Sequence, residues 1–287
     1  MRDFSTWLFK KGKSERTIDT YIECVNSFIS WYENHSSNKF FPNKIKEEDI
    51  KNWIKDMREN GWKDSTAKIR LLGVRSFFNF LELENQVDIN PTRHIWSTPI
   101  ENRYDKPRCL SPEEENIVTK YVEEADSKNS WKNTRNKSII YLMLEAGLKS
   151  SEVIHLHLSD LDFDEKIINI FREDVQEERG IEMTKNVERS LKDWLIERSK
   201  KLGGEENPFV IISQKGGPMT DEGITDYIRK KLRKGTGISD LTAHVLRHTF
   251  CNNLVRQGVP PAYASYVAGT SIGQIMLYYP KSSNGKR

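Results

Sequence analysis

Apolar residues return every three or four positions through most of the first hundred residues, and that spacing predicts helices. After Ser14, a candidate N-cap, Ile18, Tyr21, Ile22, Val25, Phe28, Ile29 and Tyr32 keep a 3.6-residue period. The polar run Ser36, Ser37, Asn38 ends that helix. Ile50, Trp53, Ile54 and Met57 make a second stripe, stopped at Asn60-Gly61. A third helix starts near Ser65 and runs through Ile69, Leu72, Val74, Phe77, Phe78 and Leu81, and Asn90-Pro91 closes the unit. Residues 1–96 thus read as a bundle of about four helices.

Residues 97–108 are polar, hold Pro99 and Pro107, and carry Arg103, Lys106 and Arg108; they read as an extended interdomain linker. A second domain is expected over 109–287. Leu110-Ser111-Pro112 restarts a helix with Ser111 as N-cap and Pro112 at its first position. A long helix near 134–146 ends at Gly147, suited to a left-handed terminus. Ile167, Ile168, Ile170 and Phe171 predict a short strand, Ile181 to Met183 its return, and Phe209 to Ile212 a further strand. From Thr220 the chain reads as helical. The second domain is therefore α+β and mainly helical.

Composition narrows the class without naming a partner. The chain has 287 residues, 36% of them hydrophobic and 30% charged, which suits two globular domains and is too apolar for disorder. No apolar run reaches about 18 residues, and Met1, Arg2, Asp3, Phe4 begin no signal peptide. An intracellular, cytoplasmic protein with no membrane partner is expected. Cys24, Cys109 and Cys251 are scattered, so neither a disulfide framework nor a metal site is indicated. Net charge is only +3, and the excess of base lies in residues 1–108. Nucleic-acid binding would have to use local basic faces.

Three motifs in register supply the missing specificity. Thr242-Ala243-His244-Val245-Leu246-Arg247-His248-Thr249-Phe250 resembles the T-x-H-x-L-R-H-T-F signature of tyrosine recombinases, the phage integrase family. Ser271-Ile272 followed by Tyr278 resembles that family's nucleophile motif, with Tyr six residues after Ile. Ala146-Gly147-Leu148-Lys149-Ser150-Ser151-Glu152-Val153 resembles its first-arginine box except at one position. The resemblance implies a mainly α fold: an N-terminal helical core-binding (SAM-like) domain and a C-terminal catalytic-type domain with a small β-sheet. It also implies double-stranded DNA as partner and no cofactor. In the family a tyrosine hydroxyl attacks a phosphodiester and keeps its energy in a phosphotyrosyl link, so neither ATP nor metal is needed.

The family's chemistry makes the departures informative. Two arginines clamp the charge that builds on the non-bridging oxygens, a hairpin lysine protonates the leaving oxygen, and histidines assist. By resemblance Tyr278 is the nucleophile, with Tyr279 the alternative beside it, Arg247 is the second arginine and His244 its partner. Lys149 stands at the first-arginine position, keeping charge but offering no bidentate fork. Gly269 stands where a histidine or tryptophan is expected. The hairpin stretch 172–179 is acidic and has no lysine, unless Lys166 or Lys185 is recruited. Losing one charge-stabilising donor costs about 10²–10³ in rate, and losing a general acid about 10²–10⁴. Strand transfer is therefore expected to be strongly impaired.

For DNA contact the sequence offers Arg16, Lys68, Arg70 and Arg75, with Lys149 and Arg247 at the phosphate; Lys10, Lys11 and Lys13 are further possibilities. Lys68, Arg70 and Arg75 flank an apolar helix face expected at Ile69, Leu72 and Phe77. Blander readings stand beside these. Lys149 also suits a helix-terminal cation, Tyr278 a core aromatic, Cys251 a packed residue, Glu152 a helix-start residue, and His155, His157 and His248 ordinary core or surface positions. The favoured expectation is a sequence-specific DNA-binding regulator, repressor-like, of a phage or mobile element. The alternatives are an active recombinase with a variant site, and an accessory protein that uses the tail after Tyr278. Self-association on DNA is expected to be weak.

Overall fold

The computed structural model describes residues 1–36, 38–95, 106–126, 130–172, 177–204 and 206–279. The chain divides into two compact units, Met1–Arg103 and Tyr104–Arg287. Most of the expected linker, residues 97–105, lies outside the described residues.

In the first unit, α1 (Arg2–Lys10), α2 (Glu15–Ser36), α3 (Glu47–Glu59) and α4 (Asp64–Leu83) enclose an aromatic core. Phe4 meets Phe77 edge-on at 5.3 Å, and Phe28 lies 5.0 Å from Trp53. The apolar pattern read from Ser14 onward misses α1, which buries only Phe4 and Leu8. A two-residue stripe is too short to stand out as a period. The face expected for α4 is corrected as well. Its buried stripe runs through Ala67, Leu71, Val74, Phe78 and Leu81, and Phe77 joins it, but Ile69 and Leu72 are 49% and 39% exposed. Leu71 and Val74 continue the i, i+4, i+7 register from Ala67, which turns Ile69 and Leu72 outward.

The second unit is built around α6 (Trp131–Leu144), buried on nearly every side. Its one polar turn is matched by partners: Lys137 Nζ lies 3.6 Å from Glu123 and 3.5 Å from Asp193, and Arg135 donates to the Ile212 carbonyl. Ahead of it, α5 (Pro112–Asp126) has a reciprocal cap. The Glu114 amide donates to Ser111 Oγ at 3.2 Å, and the Ser111 amide to Glu114 Oε2 at 2.9 Å. Gly147, at φ +67°, turns the chain after α6. A Cβ there would come within 2.1 Å of the Phe250 ring, so both backbone sign and space require glycine.

After α7 (Ser150–Ile154), β1 (Leu161–Asp162), β2 (Ile167–Arg172) and β3 (Glu177–Glu182) form an antiparallel sheet in that order. The register pairs Ile168 with Ile181 and Ile170 with Arg179. The strand expected at Phe209 to Ile212 is corrected to two isolated bridges, His157 with Phe209 and Ile212 with Pro218. Side chains of α8 (Lys185–Leu202) take up its carbonyls instead: Trp194 Nε1 donates to Val210 and Arg198 Nε to Phe209. The remaining helices are α9 (Asp221–Tyr227), a π-helical turn Ile228–Leu232, α10 (Arg233–Thr236), α11 (Ala243–Arg256), α12 (Pro261–Ala268) and α13 (Ile272–Tyr278). Among the described residues, no helix is long and apolar enough to cross a membrane.

Candidate active site

Thr242 caps α11 by accepting from the Val245 amide at 3.1 Å, which sets the first turn of that helix. Arg247, one turn on, is pulled inward and is 8% exposed. Its two terminal nitrogens donate to the backbone carbonyls of Gly147 and Ala268. The guanidinium therefore bridges the turn after α6 and the end of α12. Glu152 Oε2 lies 3.9 Å from it.

Lys149 precedes α7, and its amide donates to Glu152 Oε2 at 2.8 Å, so Glu152 caps the helix. The Lys149 ammonium reaches the Gly269 carbonyl at 3.4 Å and lies 3.8 Å from Glu152 Oε1. Gly269 itself ends α12 at φ +56°. Ser271 caps α13 by accepting from the Gln274 amide, and the helix ends at half-buried Tyr278.

These elements enclose a cavity of about 490 Å³, lined by Lys149, Arg247, His248, Cys251, Gly269, Thr270, Ser271, Gln274, Tyr278 and Tyr279. Lys149, Arg247, Gly269 and Tyr278 are thus brought together. His244 is not among the lining residues; it is exposed on α11, with its ring 6.3 Å from that of His248. Tyr279, also in the lining, is 6% exposed, with its hydroxyl paired with His248 Nδ1. Burial raises the Tyr279 phenol well above its ordinary range, and the neighbouring thiols of Cys251 and Cys109 add to this. Burial lowers the His248 imidazole below 6.5, with His244 and Arg247 contributing.

The candidate lysines for the leaving oxygen lie elsewhere. Lys166 pairs with Glu188 at 3.1 Å, Lys185 is exposed at the start of α8, and neither lines the cavity. Residues 173–176 of the acidic stretch lie outside the described residues. What β3 does bring inward is Arg179, 2% exposed, which donates to the Val267 carbonyl at 2.9 Å and to Glu152 Oε2 at 3.0 Å. The acidic residues before it mask Arg179 in the sequence, where it is one charge at the end of the 172–179 stretch.

In the first unit, Arg16 and Lys68 are exposed. Arg70 is largely covered: its guanidinium stacks on Trp62 at 4.4 Å and lies 3.7 Å from Glu23. Arg75, half-buried, has a structural task. Its Nη2 donates to the carbonyls of Thr92, at 3.3 Å, and Ile95, tying the segment after α4 to that helix. A further basic run, Arg229, Lys230 and Lys231, follows α9; Asp226 pairs with the first two at 2.6 and 2.5 Å.

The family model described as the phage integrase family matches residues 110–284, well over half the chain. The protein belongs to that family, the tyrosine recombinases. The model of the phage integrase N-terminal SAM-like domain matches residues 1–86. Among relatives of this integrase-family chain is a protein named tyrosine recombinase XerC from Thermodesulfovibrio yellowstonii. It is 28% identical over 254 residues, which cover 87% of this chain and 80% of that one. A second XerC, from Staphylococcus epidermidis, is 27% identical over 251 residues with the same coverage. Among solved structures, the Tn1549 transposon integrase in complex with transposon right end DNA has a TM-score of 0.74 at 18% identity, covering 98% of this chain and 94% of that one. A lambda integrase dimer bound to a core site has a TM-score of 0.71 at 16% identity, covering 100% and 96%. These two share the fold with this family member.

Proposed function

We propose that this protein binds double-stranded DNA at specific sites, with strand transfer strongly slowed or lost, and regulates a phage or mobile element by occupying its DNA. The observation that carries this reading is the make-up of one cavity. Lys149, Arg247 and Tyr278 share it, while Gly269 presents only backbone there and neither Lys166 nor Lys185 lines it. Among the described residues, such a site keeps positive charge suited to a phosphate and has no lysine besides Lys149 to protonate a leaving oxygen. Arg247 supplies a positive charge held in place by the Gly147 and Ala268 carbonyls, and Lys149 adds a compact point charge without a fork. Exposed Arg16 and Lys68 supply contacts from the helical unit. Operator occupancy requires these contacts and not the chemistry. We place the protein in the cytoplasm, on duplex DNA, as a monomer or a loose dimer.

A second reading, an active recombinase with a variant site, is favoured by Tyr278 lining the same cavity as Arg247 and by relatives named as recombinases. One experiment separates the two. Genomic fragments selected by their binding to the protein are incubated with it, the complexes are denatured, and DNA still attached to protein is measured for wild type and Tyr278→Phe. Tight, specific binding with no covalent product is expected. Attachment that disappears in Tyr278→Phe would establish the recombinase and sink the regulator.

A further inference from the structure

Three cations surround one carboxylate at the edge of the cavity. Glu152 has Arg179 Nη2 at 3.0 Å, the Lys149 ammonium at 3.8 Å and Arg247 Nη1 at 3.9 Å. The nearest of the three is the one outside the cavity lining. Arg179 also sits where a side chain at 269 would go: a Cβ built on Gly269 would lie 2.6 Å from its Nη1 and 2.7 Å from its Cζ. Its Nε bond to the Val267 carbonyl fixes it against the end of α12, two residues before Gly269.

We propose that Arg179 is the positioning residue of this site. It fills from β3 the space left by the missing side chain at 269, and as the nearest of three cations it takes the larger share of the Glu152 charge, so that less of the charge of Lys149 and Arg247 is neutralised by that carboxylate. The second part rests on the DNA-binding reading above; the first does not. The physical reason is local charge balance. With Arg179 present the group carries two positive charges in excess. Removing Arg179 leaves one, and Glu152, 12% exposed at its side chain, must then find its partner among Lys149 and Arg247. A cation committed to a carboxylate is withdrawn from the DNA backbone. Removing the Glu152 charge as well returns the excess to two.

The test uses the full chain as wild type, Arg179→Met, Glu152→Gln and the double variant. Glutamine keeps an oxygen to accept from the Lys149 amide, so the cap of α7 survives. Binding of the selected genomic fragments is measured across a salt series. Each phosphate contact contributes about 0.9 to the slope of log affinity against log salt. Arg179→Met is expected to lower the slope by about 0.9, and the double variant to restore it. A slope unchanged in Arg179→Met, or lowered and not restored in the double variant, overturns the charge role. If wild type binds no duplex fragment, the DNA-binding reading falls and the charge role falls with it.

The space-filling role is read separately, by thermal unfolding without DNA. Asparagine tolerates the left-handed backbone at 269, so Gly269→Asn isolates the contact. It is expected to lower the melting temperature markedly in wild type and much less in Arg179→Met. Equal losses in the two backgrounds overturn that role.

Discussion

Buried Tyr279 and half-buried His248 form a pair in the cavity lining, and the pair has a consequence for stability against pH. Burial holds His248 below its ordinary 6.5, so the folded protein takes up that proton less readily than the unfolded chain. As pH falls past 6.5 the unfolded chain binds more protons, and folding stability declines until the folded His248 is protonated too. The melting temperature is expected to fall as pH drops through about 6.5, and His248→Gln to flatten that part of the curve. A profile identical in the variant would show that other groups govern this window. At this scale the signature motifs single out Arg247, Lys149 and Tyr278, which line one cavity, and each lies beside a cap or turn that short sequence can encode. Arg179 was beyond such reading. Its partners, Glu152 and Val267, stand 27 and 88 residues away, and no local pattern announces such contacts.

Helix ends are where sequence and structure agree most closely. Ser111 and Gly147 were both marked as terminators by residue type alone, and each has a measurable weight. Ser111→Ala removes the acceptor for the Glu114 amide and is expected to cost about 1 kcal/mol in urea unfolding. Gly147→Ala meets a left-handed backbone and the Phe250 ring together, and is expected to cost about 3 kcal/mol. Equal costs would mean that the Phe250 ring moves aside freely. The strand expected at Phe209 to Ile212 shows the limit of pattern at this scale. Four apolar residues in a row mark burial, but the partners are scattered: the Val210 amide donates to Leu156, the Ile211 carbonyl accepts from Met219, and the Val210 and Phe209 carbonyls accept from Trp194 and Arg198. The α4 face was misplaced for a related reason. Ile69 and Leu72 are apolar yet exposed, and only packing reveals which of two apolar stripes is the inner one.

Across the whole chain, charge is nearly balanced, so the DNA binding proposed above would rest on individual side chains and not on a broad field. Arg16→Ala and Lys68→Ala are each expected to reduce the salt slope of binding by about 0.9, because each removes one exposed cation. Arg75→Ala is expected to leave the slope unchanged and to lower the melting temperature, since its guanidinium holds the Thr92 and Ile95 carbonyls. A slope reduced by Arg75→Ala would return that residue to the DNA surface. The two-unit architecture, a SAM-like helical unit followed by an integrase-type unit with a small sheet, is legible in outline from two kinds of periodicity and three motifs.

The close approach of Arg179 to Gly269 also bears on how saturation mutagenesis of this chain is to be interpreted. A scan that varies position 269 alone will find nearly every replacement harmful, and the pattern will look like strict selection on a catalytic position. The geometry gives another origin, a guanidinium already lodged 2.6 Å from the first carbon of any newcomer. Libraries that randomise 179 and 269 as a pair would reveal tolerance that single-site scans conceal.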